Sequence, residues 1–290
     1  MKAGRIVLCV SVALSLTSCL SDDGGNTRLN EEVKLIDEFL ARNGVTQNVL
    51  YDNYNGIRIH VHEYGKWAPP HNGQEVTVNY VGRLFETGAT FSTGTITDKL
   101  QNLSPSGFQL VVRNMMTGSN VTAFIPSPSG YGSAGANGVP PDAILVYEMY
   151  IANTERSPTE EAQFKKDSTA IKTYLADNEQ EFQYYSDIWY AIDEPGIGVH
   201  PTPFQFVSGE YKLSLLSNPG TVLEQSTLTQ HPIPDLIDGL RVAIPLLREG
   251  GKAKFIIPSG LGYGPSGFGS VPSNANLLFE FTLTGIHEGI

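Results

Sequence analysis

Two tyrosines stand alone in loops of matching composition. Tyr131 precedes Gly132 within Ile125–Ile151 (IPSPSGYGSAGANGVPPDAILVYEMYI), and Tyr263 precedes Gly264 within Ile257–Leu283 (IPSGLGYGPSGFGSVPSNANLLFEFTL). At a constant offset of 132 the two stretches share 12 identities in 27 positions, including Ile-Pro-Ser, Gly-Tyr-Gly and Val-Pro. A phenol in such a loop has two uses. Its ring can lie as a lid on an apolar core, or its hydroxyl can be aimed at a carbonyl. The chain has no phosphate loop, no Cys/His cluster and no Ser/His/Asp set of meaningful spacing, so no other motif competes for the chemistry.

The elements that must hold these tyrosines repeat with them. Gly88, Gly107 and Gly118 meet Gly220, Gly239 and Gly250 at the same offset, so about 64 residues align without a gap. A copied domain is the simplest cause. Each loop follows an apolar run stopped by Ile-Pro, as expected of a strand ended by a residue that cannot donate to a ladder. Each leaves through Val-Pro into a second apolar strand, Ile144–Ile151 or Leu277–Ile286. Upstream, Leu35–Asn43 corresponds to Ala170–Asn178, two helices with apolar residues at i, i+3 and i+4 that both stop at Asn. Ser157 as cap, Pro158 in the first turn and Glu160-Glu161 extend the second helix back to Ser157.

First strands are predicted at Gly56–Glu63 and Asp187–Ile192. In the former, Ile57, Ile59 and Val61 alternate with Arg58, His60 and His62, the pattern of a half-buried antiparallel strand. His60 and His62 share a face, but no third ligand has a spacing that joins them, and no metal is predicted.

The run of strand, Ile-Pro, Tyr-Gly, Gly-rich loop, Val-Pro and final strand with a central aromatic resembles the C-terminal half of an FKBP-type peptidyl-prolyl isomerase domain. The resemblance covers about 56–153 and about 187–290. It implies an α+β fold of two FKBP-like domains, each a bent antiparallel sheet of about five strands wrapped on a short helix, joined by a helical linker. Residue by residue, Tyr131 and Tyr263 take the position of the family's loop tyrosine, the candidate catalytic group. In the first copy Tyr80, Phe91, Phe108, Val139 and Tyr147 match the apolar wall, with Phe108 where the family has a pocket-floor tryptophan and Ser92 where it has aspartate. In the second copy the wall falls to Tyr211, Leu223, Leu236, Leu240, Val271 and Phe279, and Glu224 keeps a carboxylate. Aligning Tyr211 needs one extra loop residue. The family also holds a peptide carbonyl with a backbone N–H shortly before the pocket floor. Pro105 occupies that place in the first copy and has no N–H, whereas Ile237 keeps the donor in the second.

The chemistry implied needs no cofactor. Rotation about an X–Pro bond breaks amide resonance against a barrier of about 18–20 kcal/mol, with no proton moved and no covalent bond made. The twisted amide is less polar than the planar one, so a dry aromatic pocket with one aimed hydroxyl favours it. Lowering the barrier by about 6 kcal/mol gives on the order of 10⁴ in rate.

The start of the chain reads as an address. Lys2 and Arg5 precede the apolar run Ile6–Leu14, too short for a permanent span, and Leu16-Thr17-Ser18-Cys19 resembles a bacterial lipoprotein box. Cys19 is then the lipidated residue of an outer-membrane lipoprotein facing the periplasm or the cell surface, with Ser-Asp-Asp beside it similar to the export signals of Bacteroidetes-type surface lipoproteins. With Cys9 lost in the signal, no disulfide remains. Loss of Lys2 and Arg5 takes the formal charge from −11 to −13, which argues against nucleic acid as partner. The predicted organisation is a signal at 1–18, a tether at 19–30, a first domain at 31–153, a helical linker at 154–186 and a second domain at 187–290. Two readings remain open: a membrane-anchored isomerase serving proline-containing segments of unfolded exported proteins, or a non-catalytic peptide-binding module on the same scaffold.

Overall fold

The computed structural model describes residues 24–65, 68–136 and 138–288. The signal segment and Cys19 lie outside the described residues. The chain divides into two compact units, 1–66 with 75–154 and 67–74 with 155–290.

In the first unit, helix α1 (Gly24–Arg42) leads through β1 (Val49–Asp52) and β2 (Ile57–Glu63) to the hairpin β3 (Glu75–Leu84) and β4 (Thr90–Lys99). Helix α2 (Ser106–Asn114), β5 (Asn120–Ile125) and β6 (Leu145–Glu155) complete it. The strands form one six-stranded antiparallel sheet in the order β1-β2-β5-β6-β3-β4. The second unit repeats the arrangement with α3 (Pro158–Ala176), β7 (Gln183–Tyr185), β8 (Ile188–Glu194), β9 (Phe206–Leu215), β10 (Asn218–Pro232), α4 (Asp238–Ala243), β11 (Lys252–Ile257) and β12 (Leu277–His287). Its order, β10-β9-β12-β11-β8-β7, is the first order read backwards, and the duplication is therefore one of topology as well as sequence.

Burial explains why some strands are apolar on both faces. All of β5 after Asn120 is buried. Phe124 packs with Ile36, Phe39 and Leu40 of α1, together with Phe85, Ile144 and Val146, so α1 covers one face of the sheet. In the second unit Ile171 of α3 packs with Trp189, Ile256 and Leu278 in the same way, while Phe255 and Ile257 face the other core with α4. Each fully buried chain of this kind contributes about 1.5–3 kcal/mol. The helix ends follow the sequence: Asn43 donates its side chain to the Phe39 carbonyl at 2.8 Å and Asn178 to that of Tyr174 at 2.6 Å. Ser157 Oγ accepts from the Glu160 N–H while Glu160 Oε2 accepts from the Ser157 N–H, a complete capping box.

Several expectations are corrected. Residues 24–30, expected within a tether, are the first turns of α1. The segment 154–186 is not a separate linker, because α3 covers the second sheet and β7 is that sheet's edge strand. Residues 67–74 fall with the second unit instead of the first. Each sheet has six strands because β1 and β7 join it, and Arg58 on the polar side of β2 is buried under α1, where Asp37 holds its guanidinium at 2.8 and 3.1 Å. Among the described residues no helix is long and apolar enough to cross a membrane, and no group of three or more His, Cys, Asp or Glu could hold a metal.

Candidate functional site

The tyrosine loops are built alike. Ile125-Pro126 ends β5, Ser127–Ser129 makes a 3-10 turn, and after Gly130 and Tyr131 a second turn runs from Gly132 to Ala134. Ser259–Leu261, Tyr263 and Gly264–Ser266 repeat this after β11. A reciprocal backbone pair closes each loop, Ala136 with Val139 and Phe268 with Val271. The Gly132 carbonyl accepts from the Asp142 N–H at 2.9 Å and the Gly264 carbonyl from the Asn274 N–H at 2.8 Å. Gly135 and Gly267 are required: their φ values are +61° and +64°, and a Cβ would stand 2.5 Å from the carbonyl oxygen of Val139 or Val271.

In the first unit the predicted aromatics meet in one cup. Phe108 lies edge-on to Tyr147 and Tyr80, with ring centroids 5.0 and 5.5 Å apart, and Phe91 lies edge-on to Tyr147 at 5.7 Å and to Tyr131 at 6.5 Å. Gly82 leaves room for this packing, since a Cβ there would come within 2.7 Å of Phe91 and 3.0 Å of Tyr147. The Tyr80 hydroxyl is 3.0 Å from Ser92 Oγ, so the serine still gives Tyr80 a polar partner where the family has a carboxylate. Tyr147 is 2% exposed. Burial, with the neighbouring Tyr131 and Tyr80 phenols, pushes the Tyr147 pKa well above the ordinary tyrosine range. Tyr131 thus turns into the cup, its ring edge-on to Phe91 and its phenol beside that of Tyr147. Val139 is buried at the loop closure.

In the second unit Leu236, Leu240, Val271 and Phe279 are buried in one apolar cluster, with Tyr211, Leu223, Ile237 and Tyr263 packed against it. Tyr211 approaches Phe279 at 5.8 Å, as Tyr80 approaches Tyr147 at 6.0 Å. The Tyr211 hydroxyl donates to Glu224 Oε1, and burial together with that carboxylate pushes its pKa up to about 12. Burial and the Glu224 charge also raise the Tyr263 pKa. Phe279 places no hydroxyl beside Tyr263 as Tyr147 places one beside Tyr131. Among the described residues the Tyr263 hydroxyl has no hydrogen-bond partner, and neither does the Ile237 N–H at the N-cap of α4. At the corresponding N-cap of α2 stands Pro105.

One residue at this rim was not singled out from the sequence. Phe268 stacks on Tyr263, centroids 5.4 Å apart and planes at 16°, while remaining 70% exposed. The signal was present in the repeat, since the first copy has Ala136 at that place.

The model of the family described as FKBP-type peptidyl-prolyl cis-trans isomerase matches residues 66–152 and 198–284, more than half of the chain. A probable FKBP-type peptidyl-prolyl cis-trans isomerase FkpA of Neisseria meningitidis is 36% identical over 106 residues, 35% of this chain and 38% of that protein. FkpA of Escherichia coli K12 is 29% identical over 119 residues, 40% of this chain and 44% of that one. The chain thus spans about two fifths of the length of these relatives. The crystal structure of the three FKBP domains of wheat FKBP73 aligns over 83% of this chain and 99% of its own, at 21% identity and a TM-score of 0.35. With two family matches, each falling on one cup and its tyrosine loop, the chain belongs to the FKBP-type peptidyl-prolyl cis-trans isomerase family.

Proposed function

We propose that this protein is a peptidyl-prolyl isomerase acting as a folding helper on exported chains, and that its second domain does the work. The observation that carries this reading is the pair of donors without partners at one apolar rim, the Tyr263 hydroxyl and the Ile237 N–H. Two donors can fix the carbonyls flanking a proline, and the surrounding Leu236, Leu240 and Phe279 exclude the water that would otherwise favour the planar, more polar amide. A tyrosine is a neutral donor at physiological pH, and burial with the Glu224 charge raises the Tyr263 pKa further. The first domain is a peptide-holding or spacer module: its phenol stands beside a second one, Tyr147, and Pro105 supplies no N–H. Acylation of Cys19, supported by the Leu-Thr-Ser-Cys box, would hold both domains at the outer membrane.

A protease-coupled assay on a short Ala-X-Pro-Phe peptide tests the reading. Tyr263→Phe is expected to lower kcat/KM about tenfold, the loss of one transition-state hydrogen bond of about 1.4 kcal/mol. Tyr131→Phe is expected to leave it within about twofold. A mature chain no faster than buffer rejects the enzyme in favour of the non-catalytic binding module.

A further inference from the structure

Each tyrosine loop is held at its root by a buried carboxylate from the helix ahead of its domain. Glu32 on α1 is 7% exposed, and its Oε2 and Oε1 accept from the N–H and the Oγ–H of Ser127, both at 2.6 Å. Asp167 on α3 is 3% exposed, and its Oδ2 accepts from the N–H of Ser259 at 3.0 Å and its Oγ–H at 2.7 Å. The serines are 1% and 0% exposed. Although the helices align at an offset of 135 and the loops at 132, the same pair meets in both units.

The place of this contact gives it reach. Pro126 and Pro258 have no N–H, so the serine N–H is the first backbone donor after the strand, and a proline-capped 3-10 turn starts on it. That turn delivers the tyrosine four residues on. In the first unit α1 holds the other side of the loop as well: Arg28, one helical turn before Glu32, pairs at 2.6 Å with Asp142, whose N–H binds the Gly132 carbonyl. In the second unit Gln163 sits one turn before Asp167 and donates to its Oδ1 at 2.8 Å, and Asn276 Oδ1 also accepts from the Ser259 N–H at 3.1 Å. A fastening of helix to sheet needs none of this, since Ile36, Phe39 and Leu40, or Ile171, already supply it by burial.

We propose that Glu32 and Asp167 are positioning residues: each fixes the start of the tyrosine loop, and through it the aim of the phenol, from a helix outside the sheet and its cup. The part concerning catalysis rests on the isomerase reading above; the part concerning the loop does not. The charged groups facing Glu32 are Arg28 and Asp142; Asp167 accepts from the neutral Gln163, and the neutral Asn276 shares the Ser259 N–H with it.

The test uses the full mature chain with Asp167→Ala, Asp167→Asn and Glu32→Ala. Amide hydrogen exchange is read over 259–267 and 127–135, and kcat and KM are measured with the peptide assay. In Asp167→Ala the 259–267 amides are expected to exchange at least about tenfold faster while β11 and β12 keep their protection, with kcat falling about tenfold and KM within about twofold. Asp167→Asn, which retains an acceptor oxygen, is expected to recover most of both. Unchanged exchange in the loop overturns the proposal, and so does faster loop exchange with kcat intact. If Asp167→Ala loses protection throughout the domain, the Asn variant decides by the same readings. A wild-type chain without activity sinks the isomerase reading alone, and the exchange data still decide whether the carboxylate fixes the loop.

Discussion

The two domains build the same loop and differ in what the phenol meets. In the first, Tyr131 stands beside Tyr147, a second phenol, inside an aromatic cup. In the second, Phe279 occupies the place of Tyr147, Leu240 that of Phe108, and Tyr263 keeps its hydroxyl unengaged under the exposed ring of Phe268. The lesson is that a more complete aromatic wall is not a more available site. A hydroxyl beside a second phenol of its own domain has a competing neighbour, whereas one at an apolar rim without a hydrogen-bond partner is already desolvated for a ligand.

The sharpest way to break this comparison is to empty the second cup. Phe279→Ala removes a ring 2% exposed and is expected to destabilise that unit by about 3–5 kcal/mol, read as a lower urea midpoint from Trp189 emission in a Trp67→Phe background. A loss below about 1 kcal/mol means that Phe279 is not the floor of a packed core. The loop geometry should respond equally in both copies. Gly135→Ala and Gly267→Ala force a left-handed residue against a carbonyl and are each expected to cost about 1–3 kcal/mol of local stability, seen by amide exchange; unequal losses would show that the loops are not equivalent.

Converting one domain toward the other gives a smaller effect. Tyr147→Phe copies Phe279 into the first domain, removes the hydroxyl beside Tyr131, and is expected to cost about 1 kcal/mol in chemical denaturation. In a Tyr263→Phe background it should raise the residual isomerisation rate, and a further fall would count against the view that the second phenol competes for Tyr131. The smallest effect concerns pH. Tyr211 binds its proton more tightly folded than unfolded, because burial and Glu224 raise its pKa from 10.0 to about 12. Its contribution is therefore fully present below about pH 10 and is lost as pH rises from there to about 12. After solvent screening the difference between wild type and Tyr211→Phe across that window should stay near or below about 1 kcal/mol, with Glu224→Ser moving the window down.

Much of the architecture was readable because it rests on local rules. The Asn stops at Asn43 and Asn178 and the Ser157 cap follow from backbone donors and acceptors within a few residues, and the apolar runs of β6 and β12 from burial on both faces. What escaped were partners distant in sequence. The alternation of β2 placed Arg58 on the polar side correctly but could not show that α1 lies over that side and brings Asp37 to it. The second helix was read as a linker because its cap and its length are those of any helix, and only the burial of Ile171 against Ile256 and Trp189 makes it part of the domain.

By itself, then, the chain's sequence determined that a domain was copied, where each loop and its tyrosine fall, and that Pro105 removes a donor that Ile237 retains, since each depends on residue type and neighbours along the chain. The tertiary structure alone decided that Tyr131 comes to lie beside Tyr147 in the cup, and that Glu32 and Asp167 meet the serines at the loop roots. The serine contacts join side chains 95 and 92 residues apart in sequence, and no local pattern encodes such a meeting.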